Sequence, residues 1–187
     1  GEALKMWDRK KIFVTTKLNL LFYGEEKATK EGLKERFAKC LERLQTDYVD
    51  IYYIHHVDVE TPLDEMLRAL DDLVRQGKVR YVGASNHNAA QVVELLWAAD
   101  RLGLEPIACL QNQYNLLYRE EERDMMPLCE AEGVGVIPWS PLARGILARK
   151  PPASADVATA RAETDPFVRA YQDFQDNVIV ETVKPAE

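Results

Sequence analysis

Five places in the sequence put chemically capable side chains at the end of an apolar, strand-like run. The first run closes on Lys17, the second on His55-His56 and the third on Ser85-Asn86. The fourth carries Gln111 and closes on Asn112-Gln113-Tyr114-Asn115, and the fifth on Trp139-Ser140-Pro141-Leu142. An ammonium stabilises a neighbouring anion, an amide offers both donors and acceptors, and an indole offers a flat ring. In parallel α/β folds, binding and catalytic groups gather at the C-terminal ends of the strands. A random fold would not usually deliver polar or aromatic groups to one rim five times, so these positions form the candidate site. Gly133-Val134-Gly135 is not part of it. A dinucleotide fingerprint needs a third glycine and a helix after it, and here a strand follows.

The elements that must position these groups can be read from periodicity. Strands are expected at Ile12–Thr16, Val49–Ile54, Val79–Ala84, Ile107–Gln111 and Val134–Pro138, all rich in β-branched and aromatic residues. Such nearly continuous apolar runs suit a parallel sheet covered on both sides. Between them, Leu33, Phe37, Cys40, Leu41 and Leu44 recur at helical spacing. The next helix opens Thr61-Pro62-Leu63-Asp64, with a capping hydroxyl and then proline at the first helical position, and stops at Gly77. A third runs from Asn88 to Gly103; a fourth carries Glu120, Glu121 and Glu122 in its first turn and ends by Gly133. The unit returns about every 30 residues, the size of a βα module. Beyond Gly145 the pattern breaks: Lys150 to Thr164 read as a long loop, with a short helix beginning near Asp176-Asn177. An open doubly wound sheet and part of a barrel both fit. With 187 residues the chain is too short to close an eight-stranded barrel, which takes about 250.

Composition narrows the function classes. The chain is 47% hydrophobic and 29% charged, the balance of one globular domain. Its net charge of −7 disfavours nucleic acid and anionic membrane as partners. No apolar run is long enough to span a bilayer, and no signal peptide opens the chain, so a cytoplasmic setting is expected. Cys40, Cys109 and Cys129 are scattered without a metal-ligand rhythm and read as buried thiols. His55, Asp58 and His87 leave a metal-dependent hydrolase as a minor reading. Adjacent strand residues face opposite sides, so His55 and His56 are not expected to chelate one ion.

The runs Val14-Thr15-Thr16-Lys17, Asp47-Tyr48-Val49-Asp50-Ile51-Tyr52-Tyr53-Ile54-His55, Gly77-Lys78-Val79-Arg80-Tyr81-Val82-Gly83-Ala84-Ser85-Asn86, Gln111-Asn112-Gln113-Tyr114-Asn115-Leu116-Leu117 and Trp139-Ser140-Pro141-Leu142-Ala143-Arg144-Gly145 resemble the aldo-keto reductase family, in its order and at its spacing. The resemblance implies a partial (β/α)8 TIM barrel, approximately strands 3 to 7 with their helices. It further implies a single domain over residues 1–187 that is truncated at both ends. The implied activity is oxidoreductase: reduction of an aldehyde or ketone with NADP(H), or with NAD(H) as the alternative.

The resemblance also assigns roles. Lys17 and His55 become catalytic, the lysine lowering the pKa of an acid tyrosine and the histidine orienting the carbonyl. Ser85, Asn86 and Gln111 would bind the nicotinamide carboxamide, and Trp139 would lie against the nicotinamide ring. Ser140, Pro141, Leu142, Arg144 and Gly145 would wrap the pyrophosphate, with Lys150 as a phosphate contact. No metal is implied. The family's aspartate and acid tyrosine lie before the segment that Gly1-Glu2-Ala3-Leu4-Lys5 resembles. Tyr23 is not expected to replace that tyrosine. The absent initiator methionine suggests that something stood upstream. Little activity, and self-association through open sheet edges, are therefore expected of this chain. The alternative function is a cofactor-binding regulatory subunit, since potassium-channel β-subunits resemble this family and carry the same Trp-Ser-Pro-Leu.

Overall fold

A computed structural model describes residues 1–18, 30–59, 61–145 and 147–148. Lys150, Tyr23, the expected loop and the expected helix near Asp176 lie outside them. Among the described residues the strands and α-helices follow one another as β1 (Thr15–Leu18), α1 (Lys30–Leu44), β2 (Val49–Ile54), α2 (Leu63–Arg75), β3 (Val79–Ser85), α3 (Ala89–Leu102), β4 (Ile107–Gln111), α4 (Met125–Glu132) and β5 (Gly135–Val136). The five strands are all parallel and lie in chain order, β1-β2-β3-β4-β5. A doubly wound sheet reverses its strand order at a switch point, whereas a barrel never does. The order therefore selects the partial barrel.

The chain divides into two compact units. Residues 1–113 and 120–139 form the first, and 114–119 and 140–187 the second. The whole sheet belongs to the first. One face of this sheet packs against the helices. Tyr52, Ile54, Val82, Ala84 and Leu110 lie buried with Leu33 and Phe37 of α1, Leu70 and Leu73 of α2, and Val92 and Leu95 of α3. The Phe37 and Tyr52 rings meet at 4.7 Å. The opposite face holds a separate cluster of Ile51, Tyr53 and Cys109, and there Tyr81, in register with Ile51, is 53% exposed. Helical cover on both faces, as expected from the apolar strands, is not what the described residues show. In a barrel the inner face is filled by side chains from the strands themselves.

Boundaries shift where a backbone hydrogen bond is already in use. β5 is shorter than Val134–Pro138 because the Val134 N–H closes α4 on the Cys129 carbonyl, and Pro138 has no N–H to donate. Pairing nevertheless resumes on either side of the proline, from Ile137 N to Leu110 O and from Trp139 N to Asn112 O, both 2.9 Å. α2 starts one residue later than expected. Pro62 keeps an extended ψ of 128° and becomes the N-cap, so the Thr61 hydroxyl is displaced from the cap and lies buried without a partner. α3 opens as expected, on a reciprocal capping box between Asn88 and Gln91, and ends on left-handed Gly103. The three glutamates form a separate 3-10 turn ahead of α4. Pro127 cannot donate to the Arg123 carbonyl, so the helix does not extend back over them.

Candidate active site

Register brings the site together. Lys17 pairs with Tyr53, Tyr53 with Gly83, Gly83 with Cys109 and Cys109 with Gly135, giving one lateral row across all five strands. Ser85 and Gln111 pair two residues further along, on the same face. His55, Asn86 and Trp139 follow the ends of their strands. The structure therefore places Lys17, His55, Ser85, Asn86, Gln111 and Trp139 at one rim of the first unit.

Hydrogen bonds link most of them. Lys17 Nζ donates to Gln111 Oε1 in a short contact, and Ser85 Oγ donates to the Gln111 carbonyl at 2.6 Å. Asn86 Nδ2 donates to the His55 carbonyl at 2.9 Å and to Ser85 Oγ at 3.2 Å, while Trp139 Nε1 donates to Asn86 Oδ1 at 3.0 Å. Asn112 and His87 support this line from behind. Asn112 Nδ2 donates to the His87 carbonyl at 2.7 Å and to Glu121 Oε2 at 3.0 Å. His87 Nδ1 lies 2.8 Å from the Ser85 carbonyl, so it carries the proton. Glu121 is a supporting residue that sequence reasoning took for a dipole-matching helix residue. Nothing in its local pattern pointed across to Asn112.

Burial sets the protonation states. Desolvation pushes the Lys17 ammonium below its ordinary pKa. It also lowers His55 to about 4, with help from the His56 and Lys17 charges, and lowers His56 and His87. His55 Nδ1 is buried without a partner. The His55 and His56 rings stack at 4.2 Å, so the expected opposite-facing pair is not observed. The strand ends at Ile54, and the alternation of a pleated strand ends with it. Among the described residues, no group of three histidines, cysteines or carboxylates could hold a metal ion.

Tyr53, whose ring centroid is 5.6 Å from Lys17 Nζ, is not an activated phenol. Burial, and the neighbouring Cys109 with Sγ 3.4 Å from its hydroxyl, push its pKa up. All three cysteines are free thiols, Cys109 and Cys129 buried and Cys40 partly so.

These protonation states predict acid lability. A histidine whose folded pKa is depressed takes up its proton more readily in the unfolded chain, so stability is lost as the pH falls from about 6.5 to about 4. For the half-buried His55 the loss should be on the order of 2 kcal/mol after allowing for partial solvent screening. Urea midpoints measured across that range should fall towards acid, and His55→Gln should flatten the slope. A wild-type midpoint that is level between these pH values contradicts the assignment.

In the second unit, Ser140, Ala143, Arg144 and Gly145 have positive φ angles of 53°, 45°, 56° and 98°. The turn is closed by Ala143 N to Ser140 O and Gly145 N to Leu142 O, each 2.9 Å, and Asn115 Nδ2 donates to the Ser140 carbonyl at 3.0 Å. Ser140, Pro141, Leu142, Arg144 and Gly145 thus share one tight turn. Left-handed geometry at three non-glycine residues is the kind of local strain that clusters at functional loops.

A parallel single-wound sheet with polar groups gathered at one rim defines the α/β-barrel class of fold. Comparison with known proteins is specific: the sequence model of the aldo/keto reductase family matches residues 1–181, and the chain belongs to that family. It is 46% identical over 160 residues to versiconal hemiacetal acetate reductase of Aspergillus parasiticus, covering 83% of this chain and 46% of the relative. It is 39% identical over 170 residues to an aldo-keto reductase of Metarhizium robertsii, covering 88% and 45%. A protein of Schizosaccharomyces pombe, provisionally named an aryl-alcohol dehydrogenase, is 47% identical over 132 residues, covering 71% and 37%. The chain thus spans less than half the length of these curated relatives. Among the described residues no helix is long and apolar enough to cross a membrane.

Proposed function

We propose that this chain supplies the nicotinamide-binding, carbonyl-polarising rim of an oxidoreductase that reduces small aldehydes or ketones. The observation that carries the reading is the single linked rim, running from Lys17 through Gln111, Ser85 and Asn86 to Trp139. Membership in a family that generally uses NAD(P)H, and relatives named as reductases, support it. The residues fit a nicotinamide. Trp139 is half-buried with its indole edge tethered, which holds an aromatic face at the rim. Ser85 and Gln111 offer a hydroxyl and an amide on neighbouring strands.

When bound, the reduced cofactor supplies a hydride to the carbonyl carbon. Trp139 would hold its ring against the nicotinamide and leave the opposite side open to substrate. Ser85 and Gln111 would hydrogen-bond the carboxamide. Within the second unit, Arg144 would be the phosphate partner. Neutral His55 donates its remaining N–H to the carbonyl oxygen. The Lys17 ammonium would favour negative charge developing on that oxygen. NADP(H) is the preferred cofactor of this reading and NAD(H) the second.

Titrating NADPH into the chain should quench tryptophan emission saturably, and Trp139→Ala should weaken binding by about tenfold, the loss of one stacked aromatic contact. Lack of saturable binding sinks the reading. Turnover of an aromatic aldehyde should be low, because Lys17 donates to Gln111 rather than to a tyrosine hydroxyl. Robust NADPH-dependent turnover by this chain would refute that expectation.

A further inference from the structure

The pairing of β3 with β4 ends at Ser85 and Gln111. One residue further along β4, a side chain takes over from the main chain. Asn112 is 5% exposed. Its Oδ1 accepts the His87 N–H at 3.4 Å, and its Nδ2 donates to the His87 carbonyl at 2.7 Å. An amide that meets both the N–H and the C=O of one residue continues the ladder by a rung. Nδ2 also donates to Glu121 Oε2 at 3.0 Å, a bond to a carboxylate and so of the stronger kind. Glu121 belongs to the 3-10 turn Glu120–Glu122 ahead of α4. The main-chain carbonyl of Asn112 accepts the Trp139 N–H at 2.9 Å, the rung that resumes pairing after Pro138. One buried residue thus ties the segment after β3, the turn before α4 and the segment after β5.

We propose that Asn112, held by Glu121, is a positioning residue for the nicotinamide subsite. Its side chain fixes His87, two residues after Ser85, and its main chain fixes Trp139. The groups that meet the carboxamide and the ring are therefore set at one spacing by a residue that touches neither. The proposal rests on the reading that Ser85 and Trp139 face the nicotinamide. The residue type follows from the partners. An apolar side chain would orphan both main-chain groups of the buried His87. An aspartate offers no donor and would meet the Glu121 carboxylate. Only a short amide supplies an acceptor and two donors here.

Four variants of the full chain test this. Asn112→Ala removes every side-chain bond. Asn112→Asp keeps the acceptor for the His87 N–H and loses both donors. Asn112→Asp combined with Glu121→Gln returns a donor, now on residue 121, and remakes that one link. Glu121→Ala acts at a half-buried position and leaves the His87 bonds in place, so it remains informative if the Asn112 variants unfold. Hydrogen exchange at the His87 amide should accelerate by about tenfold in Asn112→Ala, the loss of one hydrogen bond, and stay slow in Asn112→Asp. Affinity for NADPH, measured below the onset of unfolding, should fall by about tenfold in Asn112→Asp and about threefold in Glu121→Ala. Affinity for reduced nicotinamide mononucleotide should fall by the same factors, because the effect lies at the nicotinamide end. The double variant should recover about threefold over Asn112→Asp, by the coupling of neighbouring groups. A residue that only stabilises the fold would lower the urea midpoint and leave the affinity of the folded protein alone. Wild-type affinity in both folded Asn112→Asp and folded Glu121→Ala overturns the proposal, as does a double variant no better than Asn112→Asp. If the wild-type chain does not bind NADPH, the functional reading of the rim fails. The His87 exchange then decides the clasp by itself, and an unchanged rate in Asn112→Ala overturns it.

Discussion

Asp50→Ala is expected to destabilise the chain by about 3–5 kcal/mol, the cost of removing one partner from a buried ion pair. Asp50 is 1% exposed and sits near the N-terminal end of β2, away from the rim. Its Oδ1 accepts from Arg80 at 2.9 Å; its Oδ2 accepts from Arg9 at 2.9 Å and from the Val14 N–H at 2.9 Å. Both guanidiniums also lie over the Tyr48 ring, at 3.9 Å for Arg9 and 4.6 Å for Arg80. Without the carboxylate, two like charges remain beside one ring, and the Val14 N–H is orphaned. Arg80, with a side chain 50% exposed, can turn to water, whereas Arg9, at 19%, cannot do so easily. Arg9 also bonds the carbonyls of Ile12 and Tyr48, so its displacement loosens the entry to β1. A typical domain is stable by only about 5–15 kcal/mol, so the variant should approach unfolding. Asp50→Asn keeps an acceptor for one arginine and should cost about half as much. Urea midpoints at neutral pH measure both, and a loss under about 1 kcal/mol in the alanine variant would remove the argument.

Much of the architecture was legible because local signals agreed with global ones. β2 and β4 came out of the sequence with their observed bounds, and α3 with its start near Asn88 and its Gly103 stop. In each case an apolar run or a capping residue acts within a few residues of itself. The barrel order was different. Periodicity left two architectures open, and the family resemblance chose between them before the strand order did. Six of the candidate site residues meet at one rim because each stands at or just after a strand's C-terminal end, a position that can be read once the strands are known. What could not be read depends on partners distant in sequence. Lys17 finds Gln111 and Asn112 finds Glu121 only through register and packing. His56 was misplaced because pleat alternation was carried two residues past the end of β2. The bounds of β5 and α2 failed where a proline or a helix closure took the hydrogen bond that the pattern had assigned elsewhere.

The same dependence on register makes Gly83→Val the second large expected effect. Gly83 stands in the lateral row between Tyr53 and Cys109, and its backbone is not in the left-handed region. Its requirement is purely steric. A Cβ there would sit 2.6 Å from Cδ1 and Cε1 of Tyr53 and 3.0 Å from Cys109 Sγ. Neither neighbour can retreat easily, since Tyr53 is wholly buried and Cys109 is 6% exposed. Overpacking of this kind costs about 1–3 kcal/mol for a methyl group, and the β-branched valine should exceed that. The consequence reaches the rim. A displaced Tyr53 ring would crowd Lys17, whose Nζ lies 5.6 Å from its centroid, and would break the thiol–phenol hydrogen bond. Gly83→Ala should therefore lower the urea midpoint and also weaken NADPH binding. In a Tyr53→Ala background the clash partner is gone, so Gly83→Ala should cost little, giving a coupling on the order of 1–2 kcal/mol in a double-mutant cycle. If the alanine costs the same with and without the ring, the glycine is there for some reason other than the tyrosine, and the link from β3 packing to the Lys17 rim is lost.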